Sequence, residues 1–248
     1  MSYSVYTLAQ RPELYEQTSQ FSQYWLPFMQ EDSTSNMYWH ILRRDFPEFQ
    51  FAMVDENSGE VIARGHSLPI IWDGTLDGLP PGWRDTFPLA DAIHKRGDAP
   101  NTLSAIEISV KPHLRGKGIS AQMVAAMREI AKSHGFANLI APVRPSQKDR
   151  YPLAPIERYM RWTQRDSDAL FDAWLRVHWK AGAEILKAAP HSMDIRGTIA
   201  DWESWTDMVF PESGDYVVPG ALVPVRMDCE NDEGVYIEPN VWMRHRVK

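Results

Sequence analysis

Residues 105–120 read AIEISVKPHLRGKGIS, an alternating apolar run that gives way to a basic turn carrying two glycines. Working outward from that turn, residues 102–111 form a strand. Ile106, Ile108 and Val110 point to one side of it, and Glu107 and Ser109 to the other, because successive side chains of a strand alternate. Beyond the turn, Ile119, Met123, Met127 and Ile130 recur at helical spacing, and Gly135 supplies the stop. The stretch is therefore strand, glycine turn, helix. The first turn of a helix presents unpaired backbone N–H groups and the positive end of its dipole. An anion placed there accepts several of those groups at once. Glycine lets the backbone bend and approach closely, since no Cβ intervenes. Arg115 and Lys117 add charge, each charge-assisted hydrogen bond contributing roughly 1.5–3 kcal/mol. The turn reads as a phosphate cradle. The bland alternative is a solvated connection between strand and helix.

Among phosphate-binding patterns, the P-loop G-x-x-x-x-G-K-[ST] is absent. The dinucleotide pattern G-x-G-x-x-[GA] is met literally by Gly116, Gly118 and Ala121. However, KPHLR separates the strand from the first glycine, and the following strand, NLIAPV, does not end in the acidic residue that would bind a ribose hydroxyl. A third pattern fits better. Arg115-Gly116-Lys117-Gly118-Ile119-Ser120 resembles the acyl-CoA signature R/Q-x-x-G-x-G/A of the GNAT acyltransferase superfamily, with Ser120 where that family has Gly or Ala. Val110-Lys111-Pro112 matches the V-x-P that precedes the arginine there.

The rest of the chain is consistent with the resemblance. YSVYTLA at 3–9 alternates as a first strand. Residues 12–29 read as a helix with Pro12 near its start, and 35–45 as a second helix with Met37, Ile41 and Leu42 on one side. FQFAMVDENSGEVIARGHSLPI is a hairpin around Asn57-Ser58-Gly59. Residues 72–101, rich in Gly, Pro and Asp with a short helix at 88–95, read as an insertion or lid. Residues 144–168 form a second irregular insertion, whose arginines are open to binding an acidic acceptor or the CoA 3′-phosphate but better suit a solvated loop or structural ion pairs. DALFDAWLRVHWKAGAEIL is a helix broken at Gly182 that leads into a strand. A helix around DWESWTDM and a hairpin with an acidic turn follow. The order implies an α/β (α+β) fold of GNAT type: a mixed, mostly antiparallel central sheet flanked by helices. The acyltransferase core is expected at 1–194, with 195–248 as a C-terminal extension packed on it. That last hairpin is open to three roles: completing the sheet, capping the cleft or building a homodimer.

Bulk composition limits the function. The chain has 248 residues, 44% hydrophobic and 24% charged, with a net charge of -7. This is ordinary globular composition and lacks the basic face of a general nucleic-acid binder. The single Cys229 excludes an internal disulfide and a cysteine-cluster zinc site. DCENDEG at 228–234 lacks the glycine of an EF-hand loop and reads as an acidic turn. The histidines show no metal-ligand spacing. With no apolar run long enough to span a membrane and no leader-like start, a cytoplasmic protein with no membrane partner is expected.

The resemblance implies transfer of an acyl group from acetyl-CoA, or another acyl-CoA, to a small-molecule amine by direct attack in a ternary complex, without a metal. An alkyl amine of pKa about 10.4 is mostly protonated at neutral pH, and freeing its lone pair costs roughly 4–5 kcal/mol. A base must take that proton, and a backbone N–H must receive the oxyanion. The resemblance assigns the oxyanion and pantetheine contacts to the strand before the turn, through Ile108 and Val110. It assigns the diphosphate to Arg115, Gly116, Lys117, Gly118, Ile119 and Ser120. Glu107 is the expected base if its face lines the cleft, with Ser109 beside it as a relay. In VHWKAGA, His178 stands where the family often has a tyrosine that protonates the departing thiolate, so His178 is the expected acid. Two other readings stay open: a non-catalytic acyl-CoA-binding module of the same fold, and a related enzyme with altered chemistry such as acyl-thioester decarboxylation.

Overall fold

The computed structural model describes residues 2–247 and forms one nine-stranded sheet in the order β1-β2-β3-β4-β5-β9-β8-β7, with β6 also paired to β9. Along the chain come β1 (Tyr3–Thr7), α1 (Tyr15–Ser19), α2 (Ser33–Tyr38), α3 (His40–Arg44), β2 (Phe51–Asp55), β3 (Glu60–Ile70), α4 (Thr86–Arg96) and β4 (Thr102–Val110). They are followed by α5 (Ile119–Ser133), β5 (Asn138–Val143), α6 (Ile156–Tyr159), α7 (Ala173–Lys180), β6 (Glu184–Gly197), α8 (Ile199–Thr206), β7 (Gly214–Tyr216), β8 (Val225–Asp228) and β9 (Glu233–Arg246). All pairings are antiparallel except β4 with β5. The mixed, mostly antiparallel sheet expected from the order of elements is thus present. No described helix is long and apolar enough to cross a membrane.

Two features of the sheet position the site. First, β4 and β5 pair only over Thr102–Ser104 with Asn138–Ile140. Beyond that point β4 stays with β3 as far as Val110, while β5 stays with β9 as far as Val143. A gap opens between them. Second, β4 carries a bulge. Ser67 faces Ala105 but His66 faces Glu107, so Ile106 is one residue too many. A one-residue shift moves the following side chains to the other face of the sheet. The bulge therefore interrupts the simple alternation expected for Ile106. It also sends Glu107 and Ser109 to the face shared by His66 and Arg64. The Ile106 carbonyl is held by the indole N–H of Trp83 at 2.8 Å.

The helices are shorter than the sequence suggests. Residues 12–29 do not form one helix: only α1 is α-helical, flanked by 3-10 turns. Pro27 drives Leu26 into an extended conformation, φ −63° and ψ 143°. The predicted 35–45 helix is split into α2 and α3, and Met37 is 68% exposed while Ile41 and Leu42 are buried. The expected helix after the turn is present as α5, with Ile119, Met123, Met127 and Ile130 all buried.

The lid expected at 72–101 is built into the core instead. Trp72, Leu79, Trp83, Phe87, Ala90 and Ile93 are buried within the main apolar cluster. Asn101 clasps the backbone of Trp72 from both sides, at 2.9 and 3.0 Å. Gly82 lies so close to β6 that an added Cβ would meet Ser192 Cα at 2.4 Å.

The proposed division at residue 194 is not one the sheet respects. It cuts through β6, and β9, from beyond that boundary, pairs with both β5 and β6. The C-terminal segment completes the sheet, one of the three roles left open for it. The sequence does not choose among the three because strand pairing over such separations leaves no local mark.

Candidate active site

The glycine turn is formed as its chemistry requires. Gly116 and Gly118 have φ of +77° and +82°, a region where a side chain is strained. Within the turn, Leu114 and Arg115 donate back to Lys111 and Pro112, and Ala121 and Gln122 donate to Gly118. Among the described residues, no hydrogen bond within the chain engages the backbone N–H groups of Gly116 to Ser120. They sit at the N-terminal end of α5, where the dipole favours an anion. Arg115 and Lys117 are exposed beside them. Arg115 is anchored by Nε donating to the carbonyl of Val110 at 3.2 Å.

The strand leading into the turn borders the gap. Lys111 N–H donates to Ile62 of β3 at 3.0 Å. Backbone donors alternate in direction along a strand, so the N–H groups of Ile108 and Val110 point away from β3 and toward the gap. The acceptor of the Arg115 bond, Val110 oxygen, lies on that same side.

Glu107 and Ser109 share a face with their cross-strand neighbours His66 and Arg64. The side chains of Arg64 and Glu107 are 4% and 6% exposed. Glu107 Oε1 accepts from Trp25 Nε1 at 3.0 Å and Arg64 Nε at 3.2 Å. Oε2 lies 3.0 Å from Arg64 Nη2 yet receives no aligned hydrogen bond. Arg64 is fixed in turn by donating to the Thr18 carbonyl at 2.7 Å. Over this face opens a pocket of about 540 Å³ between α1, α2, α3 and β3. Trp25, Trp39, Arg43, Arg64 and His66 are among its walls, and no aspartate or glutamate lines it. Burial, with Arg64 nearby, pushes His66 well below the usual histidine range, so it is neutral. Its Nδ1 is 2.9 Å from Gln50 Oε1.

His178 lies elsewhere. It is 3% exposed on α7, its Nδ1 is 2.9 Å from His245 Nε2, and Trp174 packs edge-on at 4.5 Å. Burial, with His245 beside it, pushes His178 down to about 3. Burial, with Arg128 beside it, pushes His245 down to about 4. The structure therefore sets Glu107 behind two walls of the pocket, Trp25 and Arg64, without Glu107 or Ser109 lining it, sets the turn beside the gap, and seals His178 into a pair with β9. Trp25, Trp39 and Arg64 went unnoticed in the sequence. They reach Glu107 or the pocket from distant segments, and nothing local marks them.

Among the described residues, no group of three or more His, Cys, Asp or Glu side chains is placed to hold a metal ion. Residues 13–154 match the sequence model of the "Acetyltransferase (GNAT) family". The chain is 30% identical over 276 residues to "Arginine N-acetyltransferase avaD" of Aspergillus versicolor, an alignment covering 99% of this chain and 94% of that one. Among solved structures, it resembles the loading GNATL domain of CurA from Lyngbya majuscula, with a TM-score of 0.63, 16% identity, and coverage of 100% and 98% of the two chains. It also resembles the GphF GNAT-like decarboxylase in complex with isobutyryl-CoA, with a TM-score of 0.59, 13% identity and full coverage of both chains. At these identities the structural likenesses speak to fold alone.

Proposed function

Because the chain belongs to the GNAT family of acetyltransferases, we propose that it moves an acetyl group from acetyl-CoA to the amine of a small molecule, arginine being the first acceptor to try, by direct attack in a ternary complex. The observation that carries this reading is the row of unpaired amides from Gly116 to Ser120 beside a strand pair that parts after Ser104. These amides, with Arg115 and Lys117, hold the diphosphate of coenzyme A. The N–H of Ile108 or Val110, pointing into the gap, receives the oxyanion that forms as the amine attacks.

Glu107 takes the amine proton, directly or through one water. Its Oε2 receives no aligned hydrogen bond, though it is buried 3.0 Å from Arg64 Nη2, and the two groups that hold Oε1, Trp25 and Arg64, line the pocket. Ser109 lies next to it on the same face. His178 is not given the acid's part. An imidazolium with a pKa of about 3 has no proton to offer at neutral pH. The leaving thiol has an ordinary pKa of about 8.5, so its thiolate departs without a strong acid. Amine attack on a thioester requires no metal, and the cytoplasm is the compartment this reading implies.

The test is thiol release from acetyl-CoA with arginine as acceptor, beside calorimetry with CoA. Release that depends on the amine is expected. Gly118→Trp is expected to abolish CoA binding. Its melting temperature should fall by only about 2–8 °C, the consequence of roughly 1–2 kcal/mol of left-handed strain. CoA binding that survives this variant contradicts the assignment of the turn. With a malonyl-type thioester in place of acetyl-CoA, amine-independent loss of its free carboxylate as carbon dioxide, with the thioester intact, favours the decarboxylase alternative.

A further inference from the structure

The pocket over β3 holds an arginine that the chemistry above does not use. Arg43, exposed on α3, lines the pocket and stacks on the ring of Tyr15, with its guanidinium carbon 3.8 Å from the ring centroid. Among the described residues it makes no ion pair and no hydrogen bond. Stacking occupies the face of a guanidinium and leaves its edge, where all five N–H donors lie, open. The other cation of the pocket, Arg64, is already answered by Glu107, and His66 is neutral. With no acidic side chain in its walls, the pocket offers a single unanswered positive charge held on a rigid aromatic shelf.

We infer that Arg43 is the specificity-determining residue for a carboxylate on the acceptor, so that the enzyme acts on amino acids rather than on simple amines. This inference rests on the acetyltransferase reading above and sharpens its substrate class. A planar guanidinium edge matches a planar carboxylate through two parallel N–H···O bonds. The amine of the same molecule is then directed toward Trp25 and Arg64, the pocket walls behind which Glu107 lies. A cationic side chain on the acceptor meets no carboxylate in the walls. It lies against the faces of Trp25 and Trp39, which favour cations without demanding one. The carboxylate is therefore the group that is read, and the side chain is tolerated.

The experiment compares L-arginine, L-argininamide and agmatine as acceptors for acetyl-CoA, with wild type and Arg43→Gln. A charge-assisted bidentate contact corresponds to roughly 10- to 100-fold in affinity. Wild type is expected to prefer arginine over both carboxylate-free analogues by that factor in kcat/KM. Arg43→Gln is expected to collapse the preference to a few-fold. Equal use of agmatine by wild type overturns the inference, as does a preference that survives in Arg43→Gln. If none of the three amines is turned over, the acetyltransferase reading is what fails, and calorimetry with the same compounds then decides the inference by itself. Binding of arginine that needs both its carboxylate and Arg43 upholds it, and binding that needs neither, or no binding at all, overturns it.

Discussion

Two arginine–glutamate pairs with buried carboxylates tie this sheet together, and they differ in how completely the carboxylate is answered. At the β9 pair, Glu238 is 0% exposed. Arg144 and the Tyr236 hydroxyl donate to its Oε2 at 2.8 and 2.9 Å, and Asn240 donates to its Oε1 at 3.1 Å. At the β4 pair, Glu107 has Trp25 and Arg64 on Oε1 and no hydrogen bond on Oε2. A buried carboxylate that is fully satisfied stabilises one arrangement and has no capacity left over. One with an oxygen that no aligned hydrogen bond reaches is held less completely, as is Glu107 Oε2, buried 3.0 Å from Arg64 Nη2. On the function proposed above, the same pair of residue types serves as a clamp in one strand and as a reactive group in the other. What separates them is whether both carboxylate oxygens receive aligned hydrogen bonds.

The largest effect that follows is on rate. Glu107→Gln is expected to lower kcat by about 10²- to 10⁴-fold, the usual loss for a general base, with CoA affinity by calorimetry nearly unchanged. Retention of full turnover breaks the comparison at once. Next comes stability. Glu238→Gln removes the buried charge that faces Arg144, whose side chain is 33% exposed, and this costs about 1–3 kcal/mol. Chemical denaturation should register that loss, while kcat of the protein that remains folded stays close to wild type. A Glu238→Gln protein that is stable but slow reverses the roles assigned to the two pairs.

A smaller effect involves pH and the His178–His245 pair. Both imidazoles have folded-state pKa values below the ordinary 6.5 because burial disfavours their charged forms. Below that pH the unfolded chain binds protons that the folded chain refuses. Their contribution is therefore complete above pH 6.5 and is lost as pH falls toward about 4 for His245 and about 3 for His178. The slope is about 1.4 kcal/mol per pH unit for each proton taken up. Melting curves from pH 7 to 4 should decline, and His178→Phe should make the decline shallower. An unchanged slope in that variant argues that His178 does not titrate on unfolding in this window.

How much of this was legible in the sequence follows from how local each feature is. The turn and α5 are local: two glycines, an arginine, and Ile119, Met123, Met127 and Ile130 in one helical stripe state their geometry within a few residues. The hairpin around Asn57-Ser58-Gly59 is local too. Glu107 could be nominated from its strand, but Arg64 is 43 positions away. Its approach depends on the register of β3 and β4 and on the bulge at Ile106, which no spacing betrays. His178 was placed by alignment with a family tyrosine, and its partner His245 is 67 positions away on a strand. The role of 195–248 stays open in the sequence for the same reason: β9 reads plainly as a strand, but nothing in its residues says that it lies between β5 and β6. In 12–29, apolar spacing suggested a long helix, and Pro27 overrode it.

The central claim is that the amides of Gly116 to Ser120 and the oxygen of Glu107 serve two substrates that meet at the parting of β4 from β5. A crystal structure with CoA and an amino acid bound tests it most directly. The account predicts diphosphate oxygens within hydrogen-bonding distance of those amides, with the CoA sulfur in the gap and the amine on the Glu107 side of β4. A nucleotide bound elsewhere, or an amine on the face of the sheet away from Glu107, contradicts it.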